Sequence, residues 1–543
     1  MNAAARLQGL RTLVREHKLF SMALAAGAFL RLLTMVAYPG ALWFAGDSYV
    51  YIGAALRPQP NLSKSTGYSL FLRTLLPFHS FTLVTLVQHL MGLAVAVMIY
   101  VLLRRNGVSK LWSTAATLPV LLDGYIIEDE HLIMAEALFT FLLMLALLLL
   151  LWRPNIKWWT ALVAGLLVGY AVDVRTEGAI VLLLFPLFVL IRGWVTHGWK
   201  HLRGWLAAVL MAVGCLLPVG AYAGWFHHRT GHYDMTMSAG FYLWGRVSSF
   251  ADCAVIKPTG AQATVCPKEP LSQRTPPGNF IWHAPEVHTD LNSTGGPVTA
   301  ANNQLLTDFA IHAVEAQPLD YVKTVVKNTM LAFGFPRIAY PGAGTTYYYS
   351  FHLHYKTSAH NLLPPDNHVW IKGGTAYQDW LSYGHQAPGR VIEVVAVPIL
   401  IYQRVVFTYG PLLALIFLVG LGGVIAVRRR DGGPLTRRTR LTEIRLKWQP
   451  RGTTMLPWIT AVTLLVFPIA IADFDYRYLL PVIPFACLAA GLSFAPAKRR
   501  ADGPRTPAGE SGETGEAGEA GGQSPVPAQE IDSGATSGVP TSS

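Results

Sequence analysis

The stretch MAEALFTFLLMLALLLLLW, from Met134 to Trp152, decides the fold. It is nineteen residues long and carries a single ionisable side chain, Glu136. An α-helix needs about 20 apolar residues to cross the roughly 30 Å hydrocarbon core of a bilayer. A helix on the surface of a soluble protein would instead alternate apolar and polar faces. This stretch therefore predicts a transmembrane helix.

Runs of the same kind recur along the 543 residues, of which 52% are hydrophobic and only 14% charged. An average soluble domain carries about 25% charged residues. The composition and the runs together predict an all-α polytopic membrane protein with about ten transmembrane helices. The ten predicted spans are Leu19–Tyr38, Phe81–Leu103, Trp112–Ile127, Met134–Trp152, Trp158–Val174, Ala179–Ile191, Gly204–Phe226, Tyr409–Val427, Met455–Ala472 and Tyr478–Ala495.

The basic residues follow every second span, and this pattern predicts the orientation. Arg104, Arg153 and Arg192 each come directly after a predicted span, as do the triplets 428–430 and 498–500. Loops rich in Lys and Arg stay in the cytoplasm. We therefore expect a multi-pass protein of the cell membrane, plasma or inner, with both termini cytoplasmic. The formal net charge of +12 is accounted for by this pattern, so a nucleic-acid partner is not indicated.

The spans divide the chain into four predicted segments. Residues 1–226 form an N-terminal transmembrane module, and residues 227–390 form an external loop or small external domain. Residues 391–500 hold the C-terminal transmembrane helices and a basic cytoplasmic loop. Residues 501–543 are rich in Gly, Ser, Pro, Glu and Thr, a composition that predicts a disordered cytoplasmic tail.

The first external loop carries the first candidate site residues. Asp47 lies just after the first span, and Lys64 is a cation on the outer side, where the positive-inside rule does not explain it. Apolar residues recur at helical spacing in Asp47–Leu56 and Thr66–Leu76, which predicts amphipathic helices lying in the membrane interface. Asp47 has a structural alternative, since carboxylates also favour helix N-termini.

Other external turns add further charges. Glu136 opens an apolar helix, and an ionisable side chain inside a membrane is expensive and marks a functional site. Arg175 and Arg477 lie at two other external turns and are candidate phosphate ligands, although Arg175 could equally pair with Glu177. The acidic residues Glu128–Glu130 are expected to form a solvated cap. Cys253 and Cys266 share the long external segment and form either a disulfide or two free thiols.

These motifs resemble the integral-membrane glycosyltransferases of the GT-C class. The branch is that of protein O-mannosyltransferases and the aminoarabinose transferase of lipid A, a family 39-like group. The matching features are Asp47 opening the first external loop, Lys64 with Tyr68 beyond it, and Glu136 opening the stretch EALFTF. Arg175 after the fifth span and the turn 477–481 also match.

The resemblance implies an inverting glycosyltransferase that moves a hexose or pentose from a polyprenyl-phosphate donor to an acceptor hydroxyl outside. It implies Asp47 as the general base and Lys64, Arg175 and Arg477 as ligands of the donor phosphate. Tyr51 and Tyr68 would line the substrate pocket.

The roles of Glu136 and of any metal stay open at this stage. Glu136 would orient Lys64 or the acceptor, or hold a divalent cation; no other cofactor is indicated. The partners would be the lipid-linked donor and a protein, glycan or lipid acceptor of the cell envelope.

Two other functions fit a polytopic membrane protein. A transporter would be expected to show internal repeats and charges at mid-span, whereas here the charges lie at span ends. A non-enzymatic cell-envelope assembly protein would use the long external segment and would not need Asp47 or Arg175.

Overall fold

Helices make up the regular structure of this protein. The computed structural model describes residues 8, 11–12, 14–198, 202–291, 297–342, 347–354, 369, 371–384, 390–425 and 437–496. Within these ranges the only β-structure is two isolated bridges. The all-α fold that the sequence predicts is therefore confirmed.

The helices are numbered in chain order. Those before residue 231 are α1 (Lys18–Ala37), α2 (Ala45–Leu56), α3 (Gly67–Leu75), α4 (Phe81–Arg105), α5 (Lys110–Ala115), α6 (Leu118–Leu122), α7 (Gly124–Asp129), α8 (Glu136–Trp152), α9 (Trp158–Val174), α10 (Val181–His197) and α11 (Leu202–Thr230). Those after it are α12 (Ala239–Ser248), α13 (Cys253–Ile256), α14 (Pro277–His283), α15 (Pro285–His288), α16 (Ala300–Ala316), α17 (Pro318–Met330), α18 (Ala376–Gly384), α19 (Glu393–Val405), α20 (Gly410–Ile425), α21 (Arg437–Ile471) and α22 (Val482–Leu492).

Nine of the ten predicted spans coincide with helices. Five described helices are long and apolar enough to cross a membrane: Lys18–Ala37, Phe81–Arg105, Thr176–Val195, Leu202–Thr230 and Thr453–Ile471. Helices α19 and α20 are bent by 56° at the break between them and can be counted together as a sixth span. The shorter apolar helices α8 and α9 and the segment Tyr476–Leu492 match the remaining three. The chain is a multi-pass membrane protein.

The remaining predicted span, Trp112–Ile127, is not one continuous helix, so this prediction is wrong. The chain there forms three short helices, α5 to α7. Pro119 stands at the start of α6, and Pro favours the first turn of a new helix because it lacks an N–H. The Asp123 carboxylate then caps α7, accepting from the backbone N–H of Tyr125 at 2.9 Å, and also accepts from Thr408 N–H at 2.6 Å.

Glycines bring α9 and α11 into backbone contact. A Cβ atom added to Gly165 would lie 2.4 Å from the Met211 carbonyl oxygen, and one added to Gly169 would lie 2.3 Å from that of Cys215. Small residues allow this close approach, which is a common basis of helix association in membranes. The contact fixes the end of α9, where Arg175 follows.

The two helices predicted in the first loop both form, but one differs from the prediction. Every residue of α2 from Ser48 to Ala55 is buried, so this helix is embedded in the protein rather than laid on the membrane interface. Helix α3 is amphipathic as predicted, with Tyr68 and Leu72 buried and Arg73 exposed.

The region between α11 and α18 has a hydrophobic core of its own. Its centre is formed by Phe241, Trp244, Phe280, Ile281 and Phe309, all at most 4% exposed. The full four-segment division of the chain stays a prediction, and residues 501–543 lie outside the described residues.

Cys253 and Cys266 are joined by a disulfide in the structure, with their Cα atoms 6.5 Å apart. We expect alkylation of the intact protein without reductant to leave both thiols unmodified by mass mapping. Closing a loop of this length stabilises the fold by about 3 kcal/mol in the chain-entropy account, so reduction should lower the melting temperature. Cys215 and Cys487 are buried free thiols and serve as internal controls after unfolding. Quantitative alkylation of Cys253 and Cys266 in the native protein would contradict the pairing.

Candidate active site

Five charged residues that the sequence singled out lie together. Lys64 Nζ is 3.0 Å from Asp47 Oδ2, and Arg477 NH1 is 3.4 Å from the same oxygen. Arg477 Nε lies 3.7 Å from Glu136 Oε1, which Arg175 NH1 also contacts. Sequence positions from 47 to 477 therefore converge on one set of ion pairs.

Two more carboxylates complete the group. Glu177 Oε2 lies 3.6 Å from Arg175 Nε, and Asp475 Oδ2 lies 3.8 Å from Arg477 Nε. We call the seven residues the polar cluster: Asp47, Lys64, Glu136, Arg175, Glu177, Asp475 and Arg477.

Helix ends hold the cluster in position. Asp47 lies in the first turn of α2, and Glu136 is the first residue of α8. Arg175 directly follows α9, and Arg477 lies in the 3₁₀ turn Tyr476–Leu479 before α22. Helix N-termini favour carboxylates, so both acids are stabilised at these positions. Asp47 can therefore be a helix N-terminal acid and a member of a functional site at the same time.

The cluster is largely removed from solvent. The exposed fractions of the side chains are 2% for Glu136, 9% for Arg175, 13% for Arg477 and 17% for Asp47. Buried charges are costly unless they are paired and hydrogen-bonded. An isolated helix-end acid at the surface would not need such partners.

The cluster keeps unused hydrogen-bonding capacity. Among the described residues, neither carboxylate oxygen of Glu136 accepts a well-formed hydrogen bond, and neither Arg175 NH1 nor Arg477 Nε donates one. Buried polar atoms are satisfied in most proteins, and exceptions are typical of functional sites. A ligand with phosphate oxygens and hydroxyl groups could satisfy both kinds of atom.

The charges determine the protonation of Asp47 and Lys64. Burial alone would raise the pKa of Asp47, but the charges of Lys64 and Arg477 outweigh it and lower the pKa. Burial alone would lower the pKa of Lys64, but Asp47 outweighs it and raises the pKa. Asp47 is therefore a carboxylate and Lys64 an ammonium ion in the resting protein.

The two predicted pocket tyrosines differ in position. Their rings are 4.9 Å apart and nearly perpendicular. Tyr51 borders the cluster and experiences the charges of Lys64 and Asp47. The hydroxyl of Tyr68 instead donates to Gln88 Oε1 at 2.5 Å, so its phenol is bound to helix α4.

Two solved structures resemble the chain. They are the apo oligosaccharyltransferase of Archaeoglobus fulgidus (TM-score 0.38) and the archaeal oligosaccharyltransferase AglB of the same organism with an inhibitory peptide and a dolichol-phosphate (TM-score 0.39). Each is 11% identical, and the alignments cover 88% and 87% of this chain. The chain spans about half the length of these structures, 50% in both cases. No family model and no curated protein matches the sequence.

The expectation of a solvated acidic cap at Glu128–Glu130 is wrong. The three residues are 0%, 5% and 2% exposed. Glu130 accepts from Arg31 at 2.7 Å on both carboxylate oxygens and bonds His89 at 2.9 Å, so it is a structural partner of an arginine inside α1. Helices α1 and α4 pack against this turn and bury it, and these long-range contacts cannot be predicted from the local sequence.

Asp129 lies beside the polar cluster, whereas the sequence predicts it in a solvated cap. Burial raises its pKa well above the ordinary value, and the nearby charge of Glu136 raises it further, opposed by Arg175 and Arg477. Asp129 and Glu136 also line one small cavity. The signal was present: three acids in succession between Ile127 and His131 in an apolar stretch are as costly to bury as Glu136.

In the ranges that the structure describes, no three His, Cys, Asp or Glu residues form a group that could hold a metal ion.

Asp473 lies near the cluster in sequence and contacts the segment between α11 and α18. Its carboxylate accepts from Gly278 N–H at 2.6 Å and from the Tyr340 hydroxyl at 2.8 Å, and Arg246 NH1 lies 3.9 Å away. Arg246 is fully buried, and none of its guanidinium nitrogens donates a well-formed hydrogen bond to a described residue. Asp473 thereby anchors the turn that carries Arg477.

This anchor predicts a pH dependence. Burial raises the pKa of Asp473 to about 6, whereas an exposed Asp titrates near pH 4. The folded state therefore favours the protonated form, and the contribution of Asp473 to stability falls as pH rises from about 4 to about 6. As pH rises through that window, the unfolding free energy of the wild type should fall by about 2–3 kcal/mol relative to that of Asp473→Asn. Thermal unfolding in detergent measures it, and a constant difference from pH 4 to pH 7 would contradict it.

Proposed function

We propose that this protein is a membrane glycosyltransferase that transfers a sugar from a polyprenyl-phosphate donor to an acceptor hydroxyl with inversion. The observation that carries the proposal is the polar cluster. Three cations and four carboxylates meet there, and Glu136, Arg175 and Arg477 are buried and keep unsatisfied oxygens and nitrogens. A displacement at a sugar phosphate needs this combination: cations for the leaving phosphate and a carboxylate for the acceptor proton.

In the proposed step the acceptor oxygen attacks C1 of the sugar from the face opposite the phosphate. The new bond joins C1 to the acceptor oxygen, and the bond that breaks joins C1 to the phosphate oxygen, which leaves with the electron pair. Asp47 takes the acceptor proton. A single displacement without a covalent intermediate inverts the configuration.

The ion pairs suggest how the base becomes active. While Lys64 and Arg477 lie 3.0 and 3.4 Å from Asp47, their charges lower its pKa and make it a weak base. A donor phosphate would compete for the same two cations. As they turn toward the phosphate, the pKa of Asp47 would rise, so the base would gain strength only when the donor is bound.

Glu136 has a separate place in this scheme. It contacts Arg175 and lies 3.7 Å from Arg477, so it holds both arginines near the position of the phosphate. Its unbonded oxygens remain available to the acceptor or to a cation. Glu136 is therefore proposed as a positioning residue that also serves as the alternative base.

The proposed orientation has the cluster outside and both termini in the cytoplasm, as the Lys and Arg pattern predicts. Single cysteines introduced at Lys110 and at exposed Tyr233 in intact cells test it. An impermeant thiol reagent should label the second position and not the first. Labelling at position 110 alone would indicate the opposite orientation.

An assay of the purified protein with a panel of radiolabelled polyprenyl-phosphate sugars tests the function. Mannosyl, other hexosyl and pentosyl donors should each be offered with protein, glycan and lipid acceptors of the cell envelope. Transfer from one donor class, with inverted configuration in the product, is the expected result. Retained configuration would exclude the single displacement, and donor-independent solute flux in vesicles would favour a transporter.

A further inference from the structure

We propose that the protein has a second anion site, at the other end of the same helices, which binds the phosphate of an anionic phospholipid headgroup. A cavity of about 510 Å³ lies where the linker between α8 and α9 meets α10 and α11. Lys157, Arg192 and Arg203 line it, and none of the described lining residues is a carboxylate. This inference does not rest on the proposed glycosyl transfer.

The cavity is separate from the polar cluster. It adjoins the first residue of α9, Trp158, whereas Arg175 follows the last. Seventeen helical residues at 1.5 Å each place the two sites about 25 Å apart. One helix therefore has a cation-rich site at each end.

Tryptophans indicate that the cavity lies at the level of the lipid headgroups. Trp158, Trp159, Trp194 and Trp205 are 55%, 48%, 56% and 48% exposed. All four stand at the cavity end of their helices. Trp is enriched at the membrane–water interface because its ring is amphipathic. A cation-lined cavity at this depth faces phospholipid headgroups directly.

The walls of the cavity are fixed by backbone contact. A Cβ atom added to Gly193 would lie 2.8 Å from the Cα of Gly204, so α10 and α11 touch here. The residues just before these glycines are Arg192 and Arg203. Arg192 donates to the carbonyl oxygens of Leu150 at 3.0 Å, Arg153 at 2.9 Å and Pro154 at 3.2 Å, so these bonds fix its guanidinium at the wall of the cavity.

The lining favours a lipid over a soluble anion. Beside the three cations it contains apolar side chains, among them Val189 and Leu206, which suit the glycerol and upper acyl carbons of a phospholipid. Basic pockets between transmembrane helices are a recognised form of anionic-lipid site. A free phosphate would gain nothing from the apolar wall.

Native mass spectrometry of the full chain, with phosphatidylglycerol or phosphatidylcholine added, tests the site. The Lys157→Gln/Arg203→Gln pair removes two exposed cations and leaves the bonds of Arg192 intact. We expect phosphatidylglycerol affinity to fall about tenfold to thirtyfold, at about fivefold for each cation. Phosphatidylcholine should bind weakly to both forms, and the melting temperature should be unchanged.

The matched control is Arg15→Gln/Lys18→Gln, which removes the same charge from exposed positions near the start of α1, outside the residues that line the cavity. It should change phosphatidylglycerol affinity less than twofold. An equal loss in both pairs would overturn the site in favour of a diffuse basic surface. Equal binding of the two lipids would also overturn it, as would displacement of phosphatidylglycerol by millimolar inorganic phosphate, which would mark a free-anion site.

Discussion

Asp47→Asn should reduce the rate of sugar transfer per folded molecule by about 10² or more. Asn keeps the size and one oxygen of the carboxylate but cannot accept a proton at neutral pH. Lys64 and Arg477 lose their shared anion, so the donor phosphate should bind at least as well as in wild type. Turnover with saturating donor, together with donor binding measured separately, gives both quantities.

Asp379→Asn is the matched control for this variant. Asp379 is a buried carboxylate whose two oxygens each lie 2.6 Å from an Arg57 nitrogen, outside the polar cluster. Its loss should lower the melting temperature and leave turnover of the folded protein near wild type. Near-normal turnover in well-folded Asp47→Asn would reject Asp47 as the base and transfer that role to Glu136.

Arg477→Ala should lower kcat/KM by about 10²–10³, the usual cost of removing one donor that stabilises developing negative charge. Arg477 is the only described residue that contacts both Asp47 and Glu136 in an ion pair. Both donor affinity and turnover should therefore fall, in contrast to Asp47→Asn. Steady-state kinetics over a range of donor concentrations separates the two effects.

Arg477→Lys distinguishes charge from shape. The guanidinium carbon lies 4.5 Å from the centre of the Phe44 ring, a stacking that an ammonium on a flexible stem does not reproduce. We expect Lys to recover part of the lost activity. Arg73→Ala is the control, because Arg73 is an exposed cation bonded to the Ala55 carbonyl and should leave kinetics unchanged. Wild-type kinetics in folded Arg477→Ala would remove Arg477 from the phosphate site.

The parts of the fold that the sequence predicts well are those fixed by bilayer thickness. A span such as Phe81–Arg105 has its length set by the hydrocarbon core, so composition alone finds it. The prediction of a single span at Trp112–Ile127 is wrong because this apolar segment packs among other helices. Capping by Asp123 and its contact with Thr408 determine its conformation. Such contacts join residues almost 300 positions apart, and no local pattern contains them.

The same contrast holds for the candidate site. Lys64 and Glu136 stand out because each is a charge that its location does not explain, and both belong to the cluster. The burial of Asp129 was not predicted because three acids in succession are typical of an exposed turn. Only the contact of Glu130 with Arg31 shows that this turn is buried. Tyr68 points to Gln88, and side-chain direction is a property of packing that sequence spacing does not give.

The spread of the polar cluster along the chain has a consequence for biogenesis. When α8 enters the bilayer during synthesis, Glu136 enters before Arg175 has been made, and long before Arg477, in the 3₁₀ turn that precedes α22. The cationic partners of Glu136 are therefore absent when α8 is made and become available only with the later parts of the chain. Synthesis of α21 and α22 would then bring Arg477 to Glu136, so the polar cluster would be complete only after these helices are made.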